Sequence, residues 1–117
     1  MKDDKHYELG LKQDFFRDEV IDWILEQENG TEYVLFYLKL CLKSLDNLEG
    51  VLIRKIGDKL VPYDNKKLAE ITNTKIDIVI SAMKLFEETN LIDILDDGEI
   101  YVRLLETMEL WGCEGDC

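Results

Sequence analysis

The sequence contains few of the residues on which catalysis, metal binding and disulfide formation usually depend. Among 117 residues it has one proline, one histidine and three cysteines. Cys41, Cys113 and Cys117 cannot all pair within one chain, and we expect all three to be reduced thiols. His6 lies in a charged leader, and two thiols in the tail without a nearby histidine make a poor zinc site. We therefore expect no metal ion and no cofactor.

Long hydrophobic runs and catalytic motifs are also missing. No apolar run approaches the roughly 20 residues that a membrane span needs, and the first residues do not have the pattern of a signal peptide. The sequence has no glycine-rich phosphate loop and no nucleophile motif. We therefore expect a cytoplasmic protein that is not an enzyme, has no small-molecule substrate and contacts no membrane.

Positive charge is scarce and unevenly distributed. The chain has 14 Lys and Arg against 26 Asp and Glu, which gives a formal net charge of -12. A duplex-binding module is normally basic, because neutralising phosphates supplies most of its affinity. Residues 54–75 hold six basic and three acidic side chains, whereas residues 93–117 hold eight acidic side chains and one arginine. Tight DNA binding is therefore not expected, and any weak contact belongs to the basic segment.

A helix-turn-helix pattern occupies residues 64–89. Asp64 can cap a first helix, and Thr72, Asn73 and Thr74 supply a polar turn. Thr74 would open the second helix, with Asp77 as a weak capping-box partner. Apolar residues at spacings of three and four predict the two inward faces: Leu68, Ala69 and Ile71 in the first helix, and Ile76, Val79, Ile80, Met83 and Phe86 in the second.

A β-hairpin is predicted at residues 91–104. Asn90 suits a left-handed helix end, after which Ile92 and Ile94 alternate with polar residues, as do Ile100, Val102 and Leu104 across a turn at 96–98. The order helix, turn, helix, hairpin is that of a winged helix. We therefore expect an α+β, mostly helical fold, namely a winged helix-turn-helix with additional flanking N-terminal and C-terminal elements, in a single domain spanning 1–117.

The flanking segments carry weaker patterns. Residues 1–6 and 113–117 are expected to be mobile. Tyr7, Leu9 and Leu11 alternate as in a short strand, and a helix with Ile21, Ile24 and Leu25 inward is expected to start at Asp18 and to end at Asn29-Gly30. Residues 50–61 alternate loosely around Gly57-Asp58 and predict a strand or hairpin that joins the wing sheet. Leu105, Met108 and Trp111 have the spacing of a short apolar helix face.

Residues 31–46 form a predicted helix that is apolar almost all round. A stripe facing one core needs only about a 100° arc, so this helix is either wrapped by the other elements or buried partly at a subunit interface. The second interpretation predicts self-association, with an interface that would include Tyr33, Phe36, Tyr37, Leu40 and Trp111.

The outward face of the second helix of the helix-turn-helix is poorly suited to reading bases. It carries Asp77, Ser81, Lys84 and Glu88, with Thr74 and Lys75 at its leading end. Arginine, asparagine and glutamine, the usual bidentate readers of guanine and adenine, are missing from it. The candidates for a weak DNA contact are Arg54, Lys55, Lys66, Lys67, Thr74, Lys75 and Lys84.

Four stretches of the chain resemble a known family. They are LKQDFF, TEYVLFYLKLCLKSL, KLAEITNTKIDIVISAMKLFEETNLIDI and IYVRLLETMELWG. Over residues 7–112 the sequence resembles the N-terminal domains of phage replisome organiser proteins, which are related to the N-terminal domains of DnaD-type primosome proteins. The resemblance implies a winged helix with added flanking elements that mediates self-association. It also implies that much of the nucleic-acid binding belongs to a separate C-terminal domain, so that the chain is either a fragment or a stand-alone version.

Our first hypothesis is an oligomerisation or scaffold module of a phage-type DNA replication initiation protein, with weak or no intrinsic DNA binding. Its expected partners are a second copy of itself, in a homodimer or higher oligomer, together with replication-initiation proteins and DNA. One alternative is a sequence-specific winged-helix DNA-binding protein, which would need a basic recognition face. The other is a small acidic phage-encoded inhibitor that binds a host nucleic-acid-binding protein through the negative surface of residues 93–116.

Overall fold

A computed structural model describes residues 6–46 and 50–113, with side chains for residues 8–46 and 50–110. The described chain has an α+β fold, as predicted. Its helices are α1 (Glu19–Leu25), α2 (Gly30–Ser44), α3 (Asn65–Thr72) and α4 (Ile76–Glu88), and a short 3₁₀ turn spans Phe15–Arg17. Its strands are β1 (His6–Leu11), β2 (Val51–Leu52), β3 (Arg54–Ile56), β4 (Lys59–Val61), β5 (Ile92–Ile94), β6 (Ile100–Val102) and β7 (Met108–Cys113).

The strands form three small antiparallel sheets. β1 pairs with β7, β6 lies between β2 and β5, and β3 pairs with β4. Most of the ends predicted to be mobile, 1–6 and 113–117, lie outside the described residues. His6 and Cys113 are the exceptions, since they are paired as the ends of β1 and β7.

Helix α2 lies at the centre of the core. Phe36, Tyr37 and Leu40 are fully buried, and the ring of Phe86 from α4 lies 6.0 Å from that of Phe36 and 5.7 Å from that of Tyr37, between ring centroids. The Tyr37 hydroxyl donates a hydrogen bond of 2.5 Å to the carbonyl oxygen of Arg103, just after β6. The buried side of α2 is therefore explained by packing within one chain.

The first helix of the predicted helix-turn-helix and the turn after it are confirmed, but Ile71, which was predicted to face inward, is exposed. The Asp64 carboxylate accepts a hydrogen bond of 2.8 Å from the amide of Lys67 at the start of α3, and Asn73 adopts the left-handed conformation at its end, with φ 51°. The predicted start of the second helix is wrong. Lys75, without a side-chain capping bond, precedes α4, because the Thr74 hydroxyl instead donates 3.1 Å to the carbonyl oxygen of Thr72.

The buried face of α4 is rotated from the predicted one. Val79, Met83 and Phe86 are buried as predicted, and Ile78 and Ala82 complete the buried face. Ile76 and Ile80 are exposed instead of buried. The apolar arc of α4 is wider than the stripe that its contacts with α2 and α3 cover, so spacing alone did not identify which isoleucines face the core.

The predicted hairpin after α4 is confirmed. Asn90 has φ 64° and Gly98 has φ 91°, and β5 and β6 pair with Ile94 opposite Ile100. The segment 50–61 joins this sheet as predicted, but only through β2, since β3 and β4 form a separate hairpin around Gly57.

Two predictions about the flanks are wrong. The segment that includes Met108 is strand β7 and not a helix, because it pairs along its length with β1, where Leu11 lies opposite Met108. Asn29-Gly30 does not end α1, which stops at Leu25; Asn29 precedes α2 in a left-handed conformation and Gly30 is its first residue. A Cβ on Gly30 would lie 2.7 Å from the Cα of Leu25, so a residue with a side chain does not fit at this position.

Candidate functional site

Three of the predicted DNA contacts come together near the start of α3. Arg54, Lys66 and Lys67 line one depression, together with Asp64 and Glu70. The ammonium group of Lys67 forms an ion pair of 2.5 Å with the Glu70 carboxylate. The hydrogen bond from Lys67, with smaller effects of Lys66 and Arg54, holds the pKa of Glu70 below its ordinary value. The depression therefore combines three basic side chains with two acidic ones, and one of the acidic side chains, Glu70, is already paired with Lys67.

Arg54 is half-buried and has a structural role in addition to its charge. Its Nη2 atom donates 2.9 Å to the carbonyl oxygen of Pro62, and its guanidinium carbon lies 5.2 Å from the centroid of the Tyr63 ring. These contacts connect the first residue of β3 to the chain that leads into α3. Only part of the guanidinium group is therefore available to a phosphate.

The remaining DNA candidates are dispersed. Lys55 lies on β3, Lys75 precedes α4, and the hydroxyl of Thr74 is bonded within its own turn. Lys84 lies nine positions after Lys75, which is about 13.5 Å along the α4 axis at 1.5 Å per residue. The seven predicted residues therefore do not form one basic surface.

The outward face of α4 is apolar and acidic. Ile76, Asp77, Ile80, Ser81 and Lys84 are all exposed. Ile76 and Ile80 occupy positions at which a protein that binds the major groove would carry side chains that form hydrogen bonds to base edges. The sequence already indicated that this face is unsuited to base recognition, and the exposed isoleucines make it less suited still.

Of the five residues predicted for self-association, the four whose side chains the structure describes are not on the surface. Tyr33, Phe36, Tyr37 and Leu40 are buried in the core of the chain itself, and the side chain of Trp111 lies outside the described residues. In this fold the first four cannot contact a second copy, because helices α1 and α4 and the sheets cover that side of α2. Self-association itself stays a prediction, and any contact through α2 must use its other side.

The other side of α2 carries exposed leucines that the sequence analysis did not single out. Leu35 is 53% exposed and Leu42 is 54% exposed. Ile71 of α3 is also exposed and lines the same depression as Leu42. We refer to Leu35, Leu42 and Ile71 as the α2 face. The seven-residue spacing of the two leucines, which places them on one side of a helix, was the available signal.

Nothing in the described part of the chain suggests a metal or membrane site. Burial raises the pKa of the Cys41 thiol to about 12, so it behaves as a small apolar core residue. Across residues 6–46 and 50–113 there is no group of three or more potential metal ligands. In the same residues, no helix has the length and apolar character needed to cross a bilayer.

Comparison with known proteins identifies the family. Neither a curated protein nor a solved structure matches the chain. The model of the N-terminal phage replisome organiser family, however, matches residues 9–111, which include every helix, strands β2 to β6 and parts of β1 and β7. The chain therefore belongs to the N-terminal phage replisome organiser family.

Proposed function

We propose that this chain is a non-catalytic assembly module in phage DNA replication initiation, and that it self-associates through the α2 face. The family match supports a role in replication initiation. The net charge of -12 and the apolar, acidic outward side of α4 favour binding to protein over binding to duplex DNA. In this proposal, α3, α4 and the β5–β6 hairpin act as a winged helix used for assembly.

The α2 face is the observation that carries the proposal. Leu35 and Leu42 are two helical turns apart, and both project from a helix whose opposite side is fully used by the core. Between them lies Lys39, whose ammonium group donates 2.6 Å to the carbonyl oxygen of Thr72 at the end of α3. Lys39, Leu42 and Ile71 line one depression, and Leu35 lies two turns earlier on the same side of α2. Exposed aliphatic side chains on one side of a helix are typical of a protein interface.

Light scattering over a range of protein concentrations tests the proposal. The wild-type chain should exceed the monomer mass at high concentration, whereas Leu35→Glu with Leu42→Glu should shift association to much higher concentration. Gln13→Glu with Ser81→Glu adds the same charge at two exposed positions away from the α2 face and serves as the control. A wild-type chain that remains monomeric at high concentration would contradict self-association. Equal association of both double variants would reject the α2 face.

A weak, sequence-independent contact with DNA is a second candidate function. It is favoured by the convergence of Arg54, Lys66 and Lys67 on one depression. Fluorescence anisotropy with a labelled duplex should give binding weaker than micromolar at physiological salt, with no preference for one sequence over its scrambled version. Tight and sequence-selective binding would instead support the DNA-reading alternative.

A further inference from the structure

The outward side of α1 carries an uncovered tryptophan between two carboxylates. Trp23 is 44% exposed, whereas Ile21 and Ile24 on the other side of the same helix are fully buried. Glu19 precedes Trp23 by four residues and Glu26 follows it by three, and both are exposed. Side chains at these spacings are neighbours on a helix surface, and Glu26 keeps helical backbone angles, with φ -76° and ψ -14°. The indole ring is therefore flanked by a carboxylate towards each end of α1.

The charges around this ring have no partner within the chain. In the part of the chain that the structure describes, Glu19, Asp22 and Glu26 form no ion pair, and no cation lies over the ring of Trp23. Residues 14–28 contain six acidic side chains and one basic one, Arg17. Both the carboxylates and the negative face of the indole ring attract a cation. This side of α1 therefore combines two features that favour the same kind of ligand.

Elsewhere in the fold, an arginine satisfies the same pair of features. The guanidinium carbon of Arg103 lies 5.7 Å from the centroid of the Tyr101 ring, and its Nη2 atom lies 2.9 Å from the Asp93 carboxylate. A guanidinium group can do both at once, because its flat face stacks on a ring while its N–H edge donates to a carboxylate. On α1 the ring and the carboxylates are present, and the arginine is missing.

We propose that Glu19, Trp23 and Glu26, which we call the α1 site, bind an arginine-bearing segment of another protein. In this arrangement the guanidinium group stacks on the indole ring of Trp23 and donates hydrogen bonds to the carboxylate of Glu19 or Glu26. A second arginine of the same segment pairs with the other carboxylate. The α1 site shares no residue with the α2 face, so the inference goes beyond the proposed self-association.

Charge selects this occupant over the others. DNA would bring phosphates against the acidic segment 14–28 and would be repelled. A second copy of this chain also fits poorly. Of its three arginines, Arg54 and Arg103 already stack on tyrosine rings, and Arg17 lies within the same acidic segment, which would meet its own counterpart. The partner is therefore a different protein whose segment is locally basic.

A titration followed by NMR tests the α1 site with a defined probe. The probe is the capped peptide Gly-Arg-Gly-Arg-Gly, added to the ¹⁵N-labelled chain at low protein concentration and low ionic strength, where exposed ion pairs are least screened. We expect saturable shifts of the Trp23 indole N–H and of the amides of residues 19–27. The peptide with lysine in place of arginine should bind more weakly, because an ammonium group has no flat face. The peptide with glutamate should cause no shift.

Three variants separate the ring from the carboxylates. Trp23→Leu keeps an apolar side chain without the aromatic face and should weaken binding about two- to fivefold, which is the contribution of an exposed cation–π contact, whereas Trp23→Phe should retain part of the affinity. Glu19→Gln with Glu26→Gln should also weaken binding. Glu87→Gln with Glu88→Gln is its matched control, since it removes the same charge from exposed positions of α4 and should bind like the wild type.

The acidic turn between β5 and β6 gives an internal comparison. Residues 93–99 contain four acidic side chains and no basic one, but the neighbouring Tyr101 ring already holds Arg103. Equal shifts at this turn and at the α1 site would show attraction by charge alone and would overturn the proposal. So would the absence of shifts in α1, or undiminished binding by Trp23→Leu. Because the titration uses dilute protein, such a failure leaves the proposed self-association standing, and a chain that stays monomeric at high concentration leaves the α1 site standing.

Discussion

Two neighbouring residues of α2 should respond in opposite ways to truncation. Phe36 is 0% exposed and its ring stacks on that of Phe86, with 18° between the ring planes. Leu35, the preceding residue, points to solvent. The helix turns by about 100° per residue, so one side chain lies in the core and the next on the α2 face. Phe36→Ala and Leu35→Ala therefore compare the two sides of the same helix.

The expected magnitudes differ several-fold. Truncating a buried phenylalanine to alanine costs about 3–5 kcal/mol, through lost transfer free energy and the cavity that remains, and a stacked aromatic pair contributes about 0.5–1.5 kcal/mol of this. A domain of this size is stable by about 5–15 kcal/mol, so Phe36→Ala should remove a large part of the free energy of unfolding. Leu35→Ala at an exposed helix position should change it by no more than about 0.5 kcal/mol.

Urea denaturation followed by circular dichroism measures both changes. The measurement belongs at low protein concentration, because association of the folded chain adds to its apparent stability. Raising the concentration should then stabilise Phe36→Ala, which keeps the α2 face, more than Leu35→Ala, which alters it, so the difference between the two variants should become smaller. Similar losses of unfolding free energy for Phe36→Ala and Leu35→Ala would refute the assignment of Phe36 to the core, and so would a fully stable Phe36→Ala.

Three further substitutions probe local structure. Gly30→Ala should strongly destabilise the fold, because the new Cβ would collide with the carbonyl oxygen of Ile24; a normal melting temperature would contradict the close approach. Tyr37→Phe should cost about 1–2 kcal/mol by leaving the Arg103 carbonyl without its donor, as measured by urea denaturation. Asp64→Ala should cost about 1 kcal/mol through loss of the α3 cap, whereas Asp64→Asn should restore most of that stability.

Local signals in the sequence were enough to predict the segment 64–104. Asp64 caps α3, Asn73 and Asn90 have positive φ, and Gly98 allows the tight turn of the β5–β6 hairpin. Each of these features depends on a few neighbouring residues, whose conformational preferences can be read without knowledge of the rest of the fold. The order of elements could therefore be predicted, although the residue that precedes α4 is Lys75 and not the predicted Thr74.

Long-range pairing could not be predicted from local spacing. Leu105, Met108 and Trp111 are three residues apart, which fits a helix, but the partner of that segment is β1 at the other end of the chain. Alternation in Tyr7, Leu9 and Leu11 indicated a strand without indicating what it pairs with. Sequence periodicity assigns faces to an element, whereas the choice of partner depends on how the whole chain packs.

The exposed residues of the candidate site also could not be predicted from local spacing. The aromatic residues of α2 suggested an interface, because such residues are enriched there. They are equally suited to a core, and Phe36 and Tyr37 pack on Phe86. When apolar residues surround a helix on all sides, the sequence does not show which side is exposed. Only the positions of α1, α3 and α4 determine that Leu35 and Leu42 remain at the surface. Of the seven predicted DNA contacts, only Arg54, Lys66 and Lys67 converge on one depression.

The convergence of those three residues leads to a last prediction, that weak DNA binding depends on the lysines of α3 and not on those of the β3–β4 hairpin. Lys66 and Lys67 lie on α3 beside Glu70, whereas Lys55 and Lys59 lie on the β3–β4 hairpin next to the acidic turn. Because the turn repels phosphate, the hairpin lysines are less suited to DNA than those of α3. Lys66→Glu with Lys67→Glu should therefore weaken any residual DNA binding and leave the sedimentation profile unchanged, since neither lysine belongs to the α2 face. Lys55→Glu with Lys59→Glu changes the net charge by the same amount and should retain most of the DNA binding. Anisotropy and sedimentation on both variants at one ionic strength measure this difference, and equal losses of DNA binding in both variants would refute the assignment to α3.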